Sequence, residues 1–164
     1  MSYTTPAGMA TAFGAKELAE ICDRDHAPFL VSADVFALAA TGGDLSGEPA
    51  EVQAAAAAAL VRCQGAIDRA GAEIDSRLAC ATALPLTADA VQANGLAGRC
   101  ADIARYLLHD DAKPEHVEAG YKDALAWLRD IAAGRACLLA DAVHTPPQRV
   151  RTGQARSGFD WGRY

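Results

Sequence analysis

The stretch from about Pro49 to Ala79 limits the possible folds more than any other part of the sequence, because it has the pattern of one long amphipathic helix. After a run of six alanines, apolar residues recur every three or four positions, which places them on one side of an α-helix. These residues are Leu60, Cys63, Ile67, Ala70, Ile74 and Leu78. At 1.5 Å per residue, such a helix is a rod of about 45 Å, longer than a small domain is wide. We therefore expect the other elements to be arranged around it.

Shorter helices are expected on both sides of this rod, and no stretch alternates apolar and polar residues as a strand would. A serine or threonine in front of a helical pattern satisfies the first free N–H groups and so marks a helix start. The expected helices begin after Thr5, near Lys16, after Ser32, after Thr87 and near Pro114, and the last two end near His109 and Ala133. The predicted fold class is all-α, a small helical bundle organised around the long helix (about 49–79), with an extended C-terminal tail.

The helix expected after Thr87 has a weak first half, because Asn94, Gly95 and Gly98 lie inside it. Each glycine in a helix costs about 1 kcal/mol relative to alanine. Two interpretations stay open: the glycines allow close contact between helices, or the start of this helix is frayed.

The composition changes at about Val143, which divides the chain into a helical domain (1–142) and a tail (143–164). Two prolines and three glycines oppose a helix in the tail, so we expect it to be extended. The domain has 11 Lys and Arg against 20 Asp and Glu, a net charge of −9. The tail has four arginines against Asp160 alone, a net charge of +3, and together they account for the −6 of the whole chain.

The tail also contains three of the ten aromatic residues, and arginine together with aromatics is typical of the residues that anchor protein interfaces. We therefore predict that the tail docks on a partner, with an ordinary disordered end as the alternative. The candidate docking residues are Arg149, Arg151, Arg156, Phe159, Trp161, Arg163 and Tyr164.

Charge, hydropathy and cysteine usage argue against several classes of protein. An acidic domain is a poor clamp for nucleic acid, since phosphate contacts require clustered lysine and arginine. No apolar run approaches the 18 residues of a membrane span, and the first residues lack the regions of a secretory signal. The five cysteines are odd in number and contain no C-x-x-C pair. We expect all five to be buried thiols of a reduced, cytoplasmic protein.

Two clusters of acidic residues and histidines are candidate metal sites. They consist of Asp23, Asp25 and His26, and of His109, Asp110, Asp111 and His116. A hard cation needs five or six converging oxygen ligands, which neither cluster supplies alone. Solvated turns and charges at helix ends are therefore the favoured interpretation.

The sequence contains no nucleophile-elbow motif, no phosphate-binding loop and no dinucleotide-binding fingerprint. Nucleophilic catalysis would also require a cysteine or serine next to a positioned histidine, and the cysteines are expected to be buried. We therefore expect no enzyme, no cofactor and no metal. A metal-dependent helical enzyme that uses the two clusters, and a DNA-packaging factor that uses the basic tail, stay open as alternatives.

Seven short segments occur in an order that resembles a known family. They are S-Y-x-T-P, F-G-x-x-E-L, D-R-D, I-D-R-A-x-A-E-I-D-S-R-L, L-P-L, D-I-A-R-Y-L-L-H-D-D and Y-K-D-A-L-A-W-L-R-D-I-A-x-G. Their joint order and spacing resemble the small neck proteins of Mu-like bacteriophages and prophages. These in turn are similar to the head–tail connector (adaptor) proteins of long-tailed phages. The resemblance covers about residues 2–140.

Two places depart from the pattern of that family. Its members carry a short acidic, glycine-rich segment after D-R-D, whereas a longer and more apolar segment follows here, so residues 26–48 are a variable insertion that inherits no role. Residues 88–90 stand where the family has a proline-rich segment.

The resemblance implies a helical subunit that joins a ring of about twelve copies on the portal vertex of a filled head. The ring would extend the DNA channel, dock on the portal protein through the tails, and present its other face to the next neck or tail-completion protein. Genomic DNA would pass the lumen without specific binding, and no membrane would be involved. The subunit would be made in the host cytoplasm and end in the virion neck. Another neck, tail-completion or portal-assisting factor is the alternative.

Overall fold

The computed structural model describes residues 2–109 and 113–139, and within these ranges the chain is helical. Seven α-helices occur there: α1 (Pro6–Phe13), α2 (Ala15–Cys22), α3 (Ala33–Ala40), α4 (Ala50–Leu78), α5 (Ala88–Ala93), α6 (Leu96–Leu108) and α7 (Glu115–Ala132). The same ranges contain no strand. The fold class is all-α, as the sequence predicts.

Helix α4 is the element on which the others pack, and its bounds agree with the predicted stretch to within one residue. Of the six apolar residues predicted to face the core, five are fully buried and Leu60 is partly buried. Helices α1, α2, α3, α6 and α7 all contact α4. Because its buried positions extend from Ala55 to Leu78, α4 crosses the domain instead of projecting from it.

The helices that pack on α4 form two groups. In the first, α1, α2 and α3 pack on one another, and the sulfur atoms of Met9 and Cys63 lie 4.0 Å apart where α1 meets α4. In the second, α6 packs on both α4 and α7, and Cys100 Sγ lies 3.8 Å from the carbonyl oxygen of Ile67. One continuous apolar core results.

Three of the expected helix starts have the capping geometry that the sequence predicts. The hydroxyl oxygens of Thr5, Ser32 and Thr87 accept backbone N–H groups three residues ahead, at 3.1, 3.2 and 3.2 Å. Each bond satisfies one of the N–H groups that a helix start leaves free. Local chemistry therefore fixes where α1, α3 and α5 begin.

The prediction of one helix from Thr87 to about His109 is wrong, since the chain forms α5 and α6 with a break at Asn94 and Gly95. Gly95 has φ 62°, in the left-handed region that a side chain disfavours. The Asn94 side chain donates to the carbonyl oxygen of Ala90 at 2.7 Å, which closes the end of α5. The weak first half noted in the sequence is thus a turn between two helices.

The segment 26–48 contributes to the core. It contains α3, which packs on α1, α2 and α4, and Phe36 on this helix is fully buried. Val31 and Val35 are also buried. The part of the chain that departs from the family pattern therefore helps to hold the first group of helices together.

Candidate interaction site

The residues predicted to dock on a partner all lie in 140–164, outside the described residues. They are Arg149, Arg151, Arg156, Phe159, Trp161, Arg163 and Tyr164. The described part of the chain shows the point from which that segment continues, and this point lies just after α7.

A turn and one buried side chain fix the segment that follows α7. Gly134, with φ 68°, reverses the chain, and the N–H groups of Arg135 and Ala136 donate to the carbonyl oxygen of Asp130 at 2.8 and 3.2 Å. Three residues after Ala136, the N–H of Leu139 donates to Oδ1 of Asn94 at 2.8 Å. Asn94 is only 9% exposed, so the residue that ends α5 also holds the last described residue in place.

A cavity of about 480 Å³ lies at the same end of the domain, between the residues after α4 and those after α7. Cys80 and Cys137 both line it. The prediction that all five cysteines are buried is wrong for these two, which are exposed. Both lie beyond the ends of helices, where the spacing of apolar residues does not indicate which side chains are buried. For the buried Cys100, removal from water raises the pKa of the thiol to about 11.

The solvent side of α4 carries an unusual series of small, uncharged residues, which we call the outer strip. It consists of Ala54, Ala57, Ala58, Val61 and Gly65, all exposed, with Val61 73% exposed. Their spacing of three and four residues places them on one face, over about 16 Å of helix. Solvent-facing helix positions are usually polar or charged. The outer strip is therefore a surface on which a second helix can pack closely.

The D-R-D segment is internally bonded. Asp23 is 2% exposed, and its Oδ2 accepts the N–H groups of Leu30 and Val31 at 2.6 and 2.9 Å. Burial alone raises the pKa of Asp23, but the hydrogen bonds from Val31, His26 and Leu30 outweigh it and hold the pKa below its ordinary value. Asp23 therefore organises the loop between α2 and α3.

Asp25, the other carboxylate of this segment, ties α2 to α4. The guanidinium of Arg62 donates both to Asp25 and to the carbonyl oxygen of Cys22 at the end of α2. The three candidate ligands of the first cluster thus have internal partners, His26 through its contact with Asp23. Within residues 2–109 and 113–139, no three His, Cys, Asp or Glu side chains are arranged so that they could hold a metal ion.

The second candidate cluster is centred on an arginine that sequence reasoning did not single out. Arg105 forms two hydrogen bonds with Glu17, at 2.6 and 2.7 Å, and its Nη2 lies 3.0 Å from Nε2 of His116. His109 Nε2 lies 3.6 Å from Glu17, and the guanidinium stacks over the Phe13 ring at 4.5 Å. These contacts join α1, α2, α6 and α7. Asp110 and Asp111, the remaining members, lie outside the described residues.

The other motifs of the family also meet one another in space. The hydroxyl of Tyr3, from S-Y-x-T-P, donates to Asp75 in the long motif of α4, and burial together with this bond raises the pKa of Tyr3. The rings of Tyr106 and Tyr121 stack with their centroids 3.9 Å apart, joining the motifs of α6 and α7. The described motif residues therefore act by holding helices together, a role that motif order alone did not predict.

None of the helices in the described part of the chain is long and apolar enough to cross a lipid bilayer.

Comparisons with known proteins identify the family of this chain. No curated protein matches the chain. A family model described as bacteriophage Mu, Gp36 matches residues 3–157, nearly the whole sequence and further than the motifs reach. The chain therefore belongs to the bacteriophage Mu Gp36 family and is a phage structural or morphogenesis protein, in agreement with the order of its motifs.

Proposed function

We propose that this protein is a head–tail connector (adaptor) subunit. Copies of it form a ring on the portal vertex, extend the DNA channel and join the head to the next neck or tail-completion protein. Its role is structural, without catalysis and without a cofactor. It assembles in the host cytoplasm and resides in the virion neck. The chain belongs to a family of phage structural or morphogenesis proteins, and this membership supports the part of the proposal that assigns it a structural role in the phage.

The outer strip of α4 is the observation that carries the proposal. A ring requires each copy to present one surface to its left neighbour and a different one to its right neighbour. Three turns of exposed alanine, valine and glycine have no evident use on a monomer, where polar side chains are normal. Against a helix of the next copy, these small side chains allow the two axes to approach to about 8 Å.

The net charge of the domain also favours a contact between copies at the outer strip. The domain has a net charge of −9, so two copies repel each other over most of their surface. None of the five residues of the outer strip is charged, and Arg62, the one charged residue between Ala54 and Gly65 in the sequence, pairs with Asp25. Contact between copies at the outer strip therefore avoids close like-charge pairs. The acidic remainder suits a channel wall that DNA must slide past, because a positive wall would retain the DNA.

The segment 143–164 is the proposed contact with the portal protein, through the arginines and aromatic residues named above. The family model reaches residue 157, so it includes Arg149, Arg151 and Arg156, whereas Phe159 and Trp161 lie beyond it. Burial of one aromatic side chain of ~150–250 Å² is worth roughly 4–6 kcal/mol before the cost of ordering the segment. Because that cost is about 1–2 kcal/mol per residue, a single tail would bind weakly. A ring that presents many tails together compensates through effective concentration.

Native mass spectrometry of the protein with the portal protein of the same phage tests the proposal. We expect a complex of fixed stoichiometry, with about as many copies as the portal ring has subunits. Ala58→Lys places a charge in the outer strip, and Ala119→Lys makes the same change at an exposed position of α7. The first variant should remain monomeric with an unchanged circular dichroism spectrum, and the second should assemble as the unaltered protein does.

Two results would contradict parts of this proposal separately. Failure of the unaltered protein to form a stoichiometric complex with the portal would exclude the connector role. Normal assembly of Ala58→Lys would leave that role intact but place the contact between copies elsewhere than on the outer strip.

A further inference from the structure

We propose that Cys80 and Cys137 are a paired thiol site that closes into an intramolecular disulfide under oxidising conditions. The site joins the residues after α4 to the residues after α7. It is independent of the connector role, since it concerns a covalent modification of the single chain.

Exposure separates the five cysteines into two classes. Cys22, Cys63 and Cys100 have no exposed surface and lie in the core. Cys80 and Cys137 are both exposed, and both line the same cavity of about 480 Å³. Two accessible thiols 57 positions apart in the sequence are thus brought to one cavity by the packing of α4 and α7.

The backbone on both sides of the cavity is fixed near each thiol. Cys80 lies in a turn that returns to α4, where the N–H groups of Ala81 and Thr82 donate to the carbonyl oxygen of Leu78 at 2.8 and 3.0 Å. Cys137 lies between two hydrogen-bonded residues, Ala136 and Leu139. The backbone next to each thiol is therefore held by hydrogen bonds where it lines the cavity.

The wall of the cavity leaves room for the thiols to meet. Five of its eight other lining residues are alanine, glycine or threonine, so few large side chains separate the two sides. A disulfide requires a Cα–Cα separation of about 4.4–6.8 Å. Residues 135–138 have no regular secondary structure, so this segment can adjust on oxidation to bring Cys137 to that distance from Cys80.

A low-molecular-weight disulfide, such as oxidised glutathione, is a sufficient oxidant. One protein thiolate attacks it, which forms a mixed disulfide and releases one glutathione thiolate. The second protein thiolate then attacks the protein sulfur of the mixed disulfide and releases the other glutathione. The two cysteines together lose two electrons and two protons, and oxidised glutathione becomes two molecules of reduced glutathione.

The bond would stabilise the fold by restricting the unfolded chain, since it closes a long loop from Cys80 to Cys137. A rise of roughly 5–10 °C in Tm is the expected size for a chain of this length. It would also fix residues 134–139 to the end of α4, and these are the residues from which the segment 140–164 continues.

Tryptic digestion identifies which cysteines form the disulfide, because each of the five cysteines falls in a different peptide. Cys80 lies in 78–99 and Cys137 in 136–149. The full-length protein is incubated with oxidised glutathione, remaining thiols are alkylated, and the digest is analysed without reduction. We expect one cross-linked pair of these two peptides, two thiols lost per monomer, and a Tm that returns to its starting value after reduction.

Single variants give the matched controls. Cys80→Ser and Cys137→Ser should each bind one glutathione at the remaining exposed cysteine and show no rise in Tm. Both exposed positions tolerate serine, so both variants should match the reduced unaltered protein in Tm. Glutathione retained on both cysteines, a covalent dimer, a bond to a buried cysteine, or no reaction at either thiol would each overturn the proposal.

Discussion

Arg105 on α6 and Glu17 on α2 are joined by two parallel hydrogen bonds, Nε to Oε1 at 2.6 Å and Nη2 to Oε2 at 2.7 Å. The two residues are 88 positions apart in the sequence, and their side chains are only 15% and 29% exposed. The Phe13 ring covers the guanidinium from α1. This pair therefore connects the first group of helices to the second without passing through α4.

Arg105→Lys should lower the free energy of unfolding by about 1–2 kcal/mol, because lysine keeps the charge but loses the paired hydrogen bonds and the stacking on Phe13. Urea denaturation measures the difference. Arg135→Lys is the matched control, since Arg135 pairs with Asp130 on the exposed surface and should lose about 0.5 kcal/mol or less. Equal losses in the two variants would show that the Arg105–Glu17 pair has no special role.

Asp23→Asn should destabilise the fold at neutral pH by about 1–3 kcal/mol, because Oδ2 accepts two backbone N–H groups and the amide replaces one oxygen with a donor. The pKa of Asp23 is held below its ordinary value of 3.8 in the folded state. Its stabilising contribution is therefore fully present above that value and is lost as the pH falls through the folded-state pKa.

Urea denaturation between pH 7 and pH 2.5 measures this dependence. The difference between the unaltered protein and Asp23→Asn should be present at pH 5 and shrink below pH 4. Asp123→Asn, at an exposed carboxylate of α7, should show a difference of about 0.5 kcal/mol or less throughout. A gap for Asp23→Asn that stays constant down to pH 2.5 would contradict the assigned role.

Gly95→Ala and Gly98→Ala should change stability in opposite directions although they lie three residues apart. Gly95 has φ 62°, so a side chain there is strained and should cost about 1–2 kcal/mol. Gly98 lies inside α6, and a Cβ there meets no atom within 4 Å, so alanine should stabilise by about 0.5–1 kcal/mol. Thermal unfolding followed by circular dichroism measures both, and a shift of the same sign in the two variants would refute this account.

Local patterns predicted the elements of this fold well. The recurrence of apolar residues gave the bounds of α4, and the caps at Thr5, Ser32 and Thr87 marked three helix starts. These features depend on residues within one or two turns, which a single sequence displays. The break between α5 and α6 rests on Gly95 and on the side chain of Asn94, which also accepts the N–H of Leu139, 45 positions away, so the sequence showed a weak helix without showing where it ends.

The contacts of the polar clusters could not be predicted from the sequence, because the partners lie farther along the chain than one or two turns. Asp23 resembles a surface acid in the sequence, yet the loop that follows it returns two N–H groups to its carboxylate. Arg105 has Asp102 three residues before it on α6, yet its hydrogen bonds go to Glu17 on α2. Both residues lie in family motifs, D-R-D and D-I-A-R-Y. The motifs indicate that the two residues matter to the family, but not which residues they contact. The residues predicted to dock on the portal lie outside the described part of the chain, and their role stays a prediction.

Removal of residues 150–164 should reduce binding to the portal protein by at least about 100-fold while leaving the helical domain folded, because three of the four arginines and all three aromatic residues of the proposed contact are then lost. Phe159→Ala alone should weaken binding by roughly 10-fold, the effect typical of one anchoring aromatic residue. Surface plasmon resonance on immobilised portal rings measures both, at two salt concentrations. The affinity of the unaltered protein should fall with salt, since arginines contribute to the contact.

Phe29→Ala is the matched control, because Phe29 is 53% exposed in the loop before α3 and the change is the same. It should leave portal binding unchanged. Hydrogen exchange adds a second readout that separates docking from folding, since residues 150–164 should exchange more slowly in the portal complex than in the free protein. Undiminished binding after the truncation, or equal exchange of these residues in the two states, would mean that the ring contacts the portal through the helical domain instead.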